Sequence, residues 1–144
     1  MISKVKLPRW IKMVNQIIMA LNRLGLPLGT QHILSIPGRK SGVMRSTPVS
    51  LLTINYRRYI ATVGETEWVK NARVAGWAEL TRGRTHKRVG LVELPVAERS
   101  AILREFPRQV PHGVQFFQMT LGLANDPEAF AAAAPKCPVF RIEE

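Results

Sequence analysis

Apolar residues recur at three- and four-residue steps in two clear stretches, and each predicts an amphipathic helix. From Pro8 to Leu24, Trp10, Ile11, Met13, Val14, Ile17, Ile18, Leu21 and Leu24 recur at these steps, with Lys12, Asn15, Gln16, Asn22 and Arg23 opposite. Gly25 ends that helix and Pro27 prevents its restart. The second runs from Val96 to Phe106 behind Pro95, with Val96, Ile102, Leu103 and Phe106 pointing inward and Pro107 and Pro111 breaking it. Between the two helices the apolar runs shorten to strand length. His32–Ile36, Thr47–Ile54 and Arg58–Val63 are predicted strands, the last two joined through Asn55-Tyr56-Arg57. Trp68–Val74 reads as a short helix closed by Gly76. Trp77–Thr81 and His86–Leu94 then form a hairpin across Arg82-Gly83-Arg84, where Gly83 takes positive φ. The helical pattern over Gln115–Leu121 is ambiguous; Pro127–Ala134 predicts a short helix and Val139–Ile142 a last strand. About six short strands with peripheral helices give a small α+β protein around an antiparallel barrel or sheet. The expected organisation is one domain over residues 1–144, with the N-terminal helix in 1–26 and the barrel with its peripheral helices in 31–144.

Composition changes this picture in one respect. A chain of 144 residues with 46% hydrophobic residues buries a core without disulfide or metal staples. Its formal net charge is +11, and that charge is unevenly placed. The first 64 residues hold ten Lys and Arg and no acid, whereas the remainder is close to balance with eleven basic and ten acidic residues. Such a block marks an anionic partner: a nucleic acid, a membrane surface or a small polyanion. A single cysteine, Cys137, excludes an internal disulfide. His32, His86 and His112 lie far apart with no second ligand at coordinating spacing, so no metal site is expected. Ile17–Leu21 is too short to span a bilayer, and no signal peptide is legible, which makes a cytoplasmic protein the expectation.

The stretch Pro37-Gly38-Arg39-Lys40-Ser41-Gly42-Val43-Met44-Arg45-Ser46-Thr47-Pro48 carries the most chemistry. Two glycines bracket two cations and a hydroxyl, with a third cation at the start of a strand. Glycines let backbone N–H groups approach an oxyanion, Ser41 donates, and Arg45 binds phosphate in a bidentate manner. The Gly-Lys-Ser/Thr order of a Walker loop is absent. A solvent-exposed hairpin with solubilising charges accounts for the same residues.

That block, followed by a strand ending near Gly64 and by Trp68-Val69-Lys70-Asn71-Ala72-Arg73, resembles the deazaflavin-dependent nitroreductase family, split β-barrel oxidoreductases that use coenzyme F-420. The resemblance covers roughly Ile33 to Glu93. It implies a small split antiparallel β-barrel and hydride transfer to an apolar unsaturated, quinone-like or nitro acceptor. By the same resemblance Gly38, Arg39, Lys40, Ser41, Gly42 and Arg45 hold the coenzyme's phosphate and tail. Pro48 lies beside the deazaflavin ring, Thr62, Val63 and Gly64 pass under it, and Trp68 and Asn71 close the pocket. FMN in place of F-420 stays open, since both need a phosphate cradle. The short Glu65-Thr66-Glu67 loop before Trp68 departs from the family's pattern.

Other residues carry weaker signals. Tyr56 and Tyr59 are the candidate proton donors, though hairpin tyrosines more often pack or face solvent. Phe116, Phe117 and Met119 suit a core better than a substrate pocket, His112 suits a surface better than a lid, and Trp77 reads as core or pocket wall. Cys137 reads as a spectator thiol. Lys4, Lys6, Arg9 and Lys12 open the first helix in a way that fits peripheral contact with the inner face of a membrane or docking on the barrel. Nucleic-acid binding is disfavoured by the lack of an aromatic ladder or recognition helix. The expected partner is a small-molecule acceptor, for a monomer or homodimer. The rival class is a non-catalytic deazaflavin or fatty-acid binding protein of the same fold.

Overall fold

The computed structural model describes residues 31–144. The predicted helix Pro8–Leu24 and the basic cluster Lys4, Lys6, Arg9 and Lys12, with the membrane reading attached to them, lie outside the described residues. The described residues form seven strands: β1 (Gln31–Pro37), β2 (Met44–Ser50), β3 (Leu52–Ile54), β4 (Arg57–Ala61), β5 (Trp77–Arg82), β6 (Thr85–Glu93) and β7 (Val139–Glu143). Among the described residues four α-helices join them: α1 (Glu67–Ala75), α2 (Val96–Gln109), α3 (Pro111–Leu121) and α4 (Pro127–Ala132), with a 3₁₀ turn at Ala134–Lys136. The hydrogen-bonded strand order is β2-β1-β5-β6-β7-β4-β3. This is the α+β class with the antiparallel sheet of a split barrel, as the sequence predicts.

The described chain divides into two compact units, one containing Leu51–Thr66 and Val92–Ile142, the other the segment up to Ser50, Glu67–Leu91 and Glu143–Glu144. In the second, β1 pairs with β2 from Gln31↔Ser50 to Pro37↔Met44 and with β5 from Ile33↔Thr81 to Ser35↔Glu79. Ile33 and Leu34 are both buried although consecutive strand residues face opposite sides, so both faces of β1 are covered. The β5–β6 hairpin closes through Gly83-Arg84 with Gly83 at φ 60°. Arg88 on β6 stacks over the Trp77 ring, 3.9 Å from its centroid.

In the other unit, Phe106, Phe117 and Phe130 meet with ring centroids 4.5–5.6 Å apart at the centre of an apolar cluster that includes Leu52, Leu103 and Val139. Gln109 clasps strand β3: its Oε1 accepts from the Thr53 N–H at 2.8 Å and its Nε2 donates to the Thr53 carbonyl at 2.9 Å. A side-chain amide thus takes the place of a neighbouring strand at the sheet's end.

Three expectations are corrected. Thr47–Ile54 is two strands, because β2 pairs with β1 and β3 with β4, and the chain changes partner at Leu51. Val96 is exposed, because Arg99 takes the inward position of the first helical turn. Its guanidinium donates to the carbonyls of Leu94 (2.9 Å) and Ala134 (3.2 Å) and to Glu93 (3.3 Å). Pro107 does not end α2, which continues to Gln109; Pro111 instead starts α3 at its first position, where a missing N–H costs nothing. The burial of Phe106 and the Gln109 clasp hold the last turn despite the proline.

The β3–β4 hairpin turns on two residues, Asn55 (φ 51°) and Tyr56 (φ 66°), both left-handed as a type I′ turn requires. Tyr56 is fully exposed there and gains no packing for its strain. Tyr56→Gly is therefore expected to stabilise the protein by about 0.5–1 kcal/mol in thermal or denaturant unfolding; a lower midpoint would contradict the strain argument.

Candidate functional site

The connection from β1 to β2 continues the ladder by one step and then turns. Past the pair Pro37↔Met44, the Gly38 N–H donates to the Val43 carbonyl at 2.8 Å and the Gly42 N–H to the Gly38 carbonyl at 2.8 Å. Ser41 Oγ accepts from the Val43 N–H at 3.2 Å. Gly42 sits at φ 74° and needs glycine for that reason alone, whereas a Cβ on Gly38 would lie 3.2 Å from Ser41 Oγ and 3.3 Å from the Val43 oxygen. The Lys40 and Ser41 N–H groups have no partner among the described residues, and the side chains of Lys40 and Arg45 have neither ion pair nor hydrogen bond there. Lys40, Ser41 and Arg45 are all exposed.

Helix α1 holds this turn from behind. Asn71 is buried, and its Oδ1 accepts from the Arg39 backbone N–H at 3.1 Å and from Arg39 Nη1 at 2.9 Å. The same Nη1 donates to Glu67 Oε2 at 2.9 Å. Glu67 and Asn71 stand four residues apart, on one helix face. Trp68, half-buried, lies on the same helix one turn before Asn71, and Pro48 is half-buried on β2 opposite Ile33. Of the sequence-derived residues, the structure thus assembles Gly38 to Gly42, Arg45 and Asn71 around one turn. It also adds Glu67, which sequence reasoning missed. The spacing Glu67-x-x-x-Asn71 is visible in the chain, but nothing local shows that Arg39 meets it.

Thr62, Val63 and Gly64 belong to the other unit. They are buried, with the Thr62 N–H donating to the Pro138 carbonyl and the Gly64 N–H to the Lys136 carbonyl, each at 3.0 Å. Val63 packs in the cluster of Leu52 and Phe130. Tyr56 stands at its hairpin tip, and Tyr59 is half-buried against the same cluster. Phe117 is core, Phe116 lies partly buried against it, and Met119 is exposed, as is His112.

No family model matches the chain, and no curated protein does either. Solved structures do. A chain described as a domain-swapped dimer aligns over 93% of this chain and 97% of its own with a TM-score of 0.59 at 15% identity. An F420-H2 dependent reductase, FDR-A, aligns over 79% and 94% with a TM-score of 0.52 at 19% identity. A putative pyridoxamine 5'-phosphate oxidase from Listeria innocua aligns over 90% and 91% with a TM-score of 0.51 at 11% identity. The chain has the split-barrel fold. At these identities the likeness is one of fold. Among the described residues no helix is long and apolar enough to cross a membrane.

Cys137 is buried, and burial pushes its thiol up from 9.0 to about 12, against the smaller opposing pull of Arg99 and Lys136. The folded value lies above the unfolded one, so the thiol's contribution to stability is complete below pH ~9 and is lost as pH rises toward ~12. In the folded protein iodoacetamide is expected to leave Cys137 unmodified at pH 8 and to add one adduct after unfolding. Rapid alkylation of the native protein would show the thiol to be accessible and ionised.

Proposed function

We propose that the chain is an oxidoreductase that anchors a flavin- or deazaflavin-type coenzyme by its phosphate in the Gly38–Arg45 turn. The acceptor of the hydride, in this reading, is a small apolar molecule of the unsaturated, quinone-like or nitro class. The observation that carries the reading is the turn itself: its six residues from Gly38 to Val43 are locked by internal hydrogen bonds and by Asn71, and among the described residues the Lys40 and Ser41 N–H groups and the exposed side chains of Lys40 and Arg45 have no partner. That donor set suits a phosphate or carboxylate, since charge-assisted bonds from Lys and Arg combine with backbone N–H groups of a nest. The residues present therefore fit the anionic part of such a coenzyme. The likeness in fold to the F420-H2 dependent reductase FDR-A supports the choice of coenzyme class.

When bound, such a coenzyme supplies the hydride, which is why hydride transfer asks the protein for orientation and exclusion of water rather than for a nucleophile. Lys40, Ser41 and Arg45 would bind the phosphate. Arg39, tied to Asn71 and Glu67, would fix the turn's shape. Pro48, half-buried on β2 three residues after Arg45, and Trp68, half-buried on α1 one turn before Asn71, are the residues we assign to the ring's surroundings. The likeness to a structure described as a domain-swapped dimer favours a homodimer.

Titration with oxidised F-420 or FMN, followed by intrinsic Trp fluorescence, is expected to give saturable quenching with Kd on the order of tens of micromolar. The absorbance spectrum of the bound ligand distinguishes the two coenzymes. Lys40→Ala and Arg45→Ala are each expected to weaken binding about tenfold or more. Absence of saturable binding by both coenzymes removes the proposal. Binding of the reduced coenzyme without turnover on quinones, enones and nitroaromatics would instead mark a non-catalytic binder.

A further inference from the structure

Three cations belong to the Gly38–Arg45 turn, and they are not equivalent. Both hydrogens of Arg39 Nη1 are taken, one by Glu67 Oε2 and one by Asn71 Oδ1, each at 2.9 Å. The second lone pair of Asn71 Oδ1 accepts the Arg39 backbone N–H. Asn71 is only 6% exposed, so its amide is a fixed point. The Glu67 side chain is 57% exposed and also lies 3.9 Å from Lys70 Nζ, so its hold on Arg39 is partly solvated and open to competition. Lys40 and Arg45 carry no such counter-charge among the described residues.

We propose that Glu67 sets the charge that the turn offers to a ligand: it neutralises Arg39, Asn71 positions it, and Lys40 with Arg45 remain as a two-cation site matched to one phosphate group. The proposal rests on the reading that the turn binds an anion, and on nothing about which coenzyme carries it. Asn71 acts here as a positioning residue, because it reaches the ligand only through the turn that it holds. Glu67 acts as an internal anion. Removing its charge while keeping its shape leaves Arg39 tethered to Asn71 and turns it into a third available cation.

The sign of this effect separates it from a structural role, because loss of a merely structural ion pair loosens the turn and weakens binding. Inorganic phosphate and pyrophosphate, titrated by NMR or calorimetry into the full chain at low salt, are the probes. E67Q is expected to tighten pyrophosphate binding about 3- to 10-fold and phosphate binding less, with the gain shrinking toward ~1 M salt, where the Debye length falls to about 3 Å. The gain should vanish in the double variant R39A/E67Q and persist in K70A/E67Q, which assigns it to Arg39 rather than Lys70. N71D, which keeps the acceptor but adds a charge beside Arg39, should weaken both anions. If N71D fails to fold, E67Q at its exposed helix position carries the test alone. An unchanged or weakened E67Q, a gain that survives in R39A/E67Q, or a wild-type chain that binds neither anion at millimolar concentration overturns the proposal. A chain that shows the E67Q gain but binds neither F-420 nor FMN would keep this inference and lose the coenzyme reading.

Discussion

Strand β1 is the constraint on which the candidate site depends. It is paired on both sides, with β2 along its whole length and with β5 over Ile33 to Ser35, and both its faces are buried. A strand fixed in this way delivers its last residue to a defined place. Pro37 ends it without loss: the Gly38 N–H points to the β2 side, so the nitrogen of Pro37 faces the β5 side, where the ladder has already stopped at Ser35. Gly38 extends the β1–β2 ladder by one bond, and the turn begins from a rigid base. A binding group on a loop gains its precision from such a scaffold.

The net charge illustrates why position matters more than total. The sequence has an excess of eleven positive charges, yet several cations have structural employment. Arg99 is buried and donates to two carbonyls and Glu93, holding the end of β6 and the 3₁₀ turn to α2. Arg88 lies flat on Trp77. Arg39 is shared between Glu67 and Asn71. Buried or paired guanidinium groups of this sort serve the fold, since an unpaired charge in such places would be costly. Among the described residues, the cations of the turn that keep no partner are Lys40 and Arg45, and the formal +11 says nothing of that selection.

Much of the architecture is legible in the chain because its signals are local. Asn55 and Gly83 mark the two tight hairpins, and Gly76 stops α1 at the expected residue with φ 72°. Ile102, Leu103 and Phe106 are found on the buried side of α2, as their spacing requires. What the chain conceals depends on contacts distant in sequence. A proline at 107 reads as a stop, yet the Phe106 ring and the bond from Gln109 to Thr53, 56 residues away, hold the helix through it. Val96 reads as inward until Arg99 is seen to find three acceptors there. The glycine-bracketed cations are visible as a cradle, but the division of labour among them is set by Glu67 and Asn71, 28 and 32 residues from Arg39. No window of local sequence contains that information.

The rival account of the turn, a hairpin whose charges only keep the protein soluble, predicts a different structure from the one observed. Two residues suffice to join antiparallel strands, and this chain does so twice, at Asn55-Tyr56 and at Gly83-Arg84. Between β1 and β2 it uses six residues, Gly38 to Val43, and fixes them with two backbone bonds and the Ser41 hydroxyl. It further buries an asparagine in α1 whose amide oxygen accepts two hydrogen bonds from Arg39. A solubilising loop gains nothing from a buried polar anchor, because exposed lysines and arginines repel aggregation whatever their geometry. A site for an anion does gain, since donors held in advance need not be ordered when the ligand arrives. The same comparison explains why, among the described residues, the turn's own N–H groups at Lys40 and Ser41 have no partner while those at Gly38, Arg39, Gly42 and Val43 are all used. The bonds that define the shape are internal or go to α1, and they leave the donors next to the exposed Lys40 and Ser41 side chains unused among the described residues.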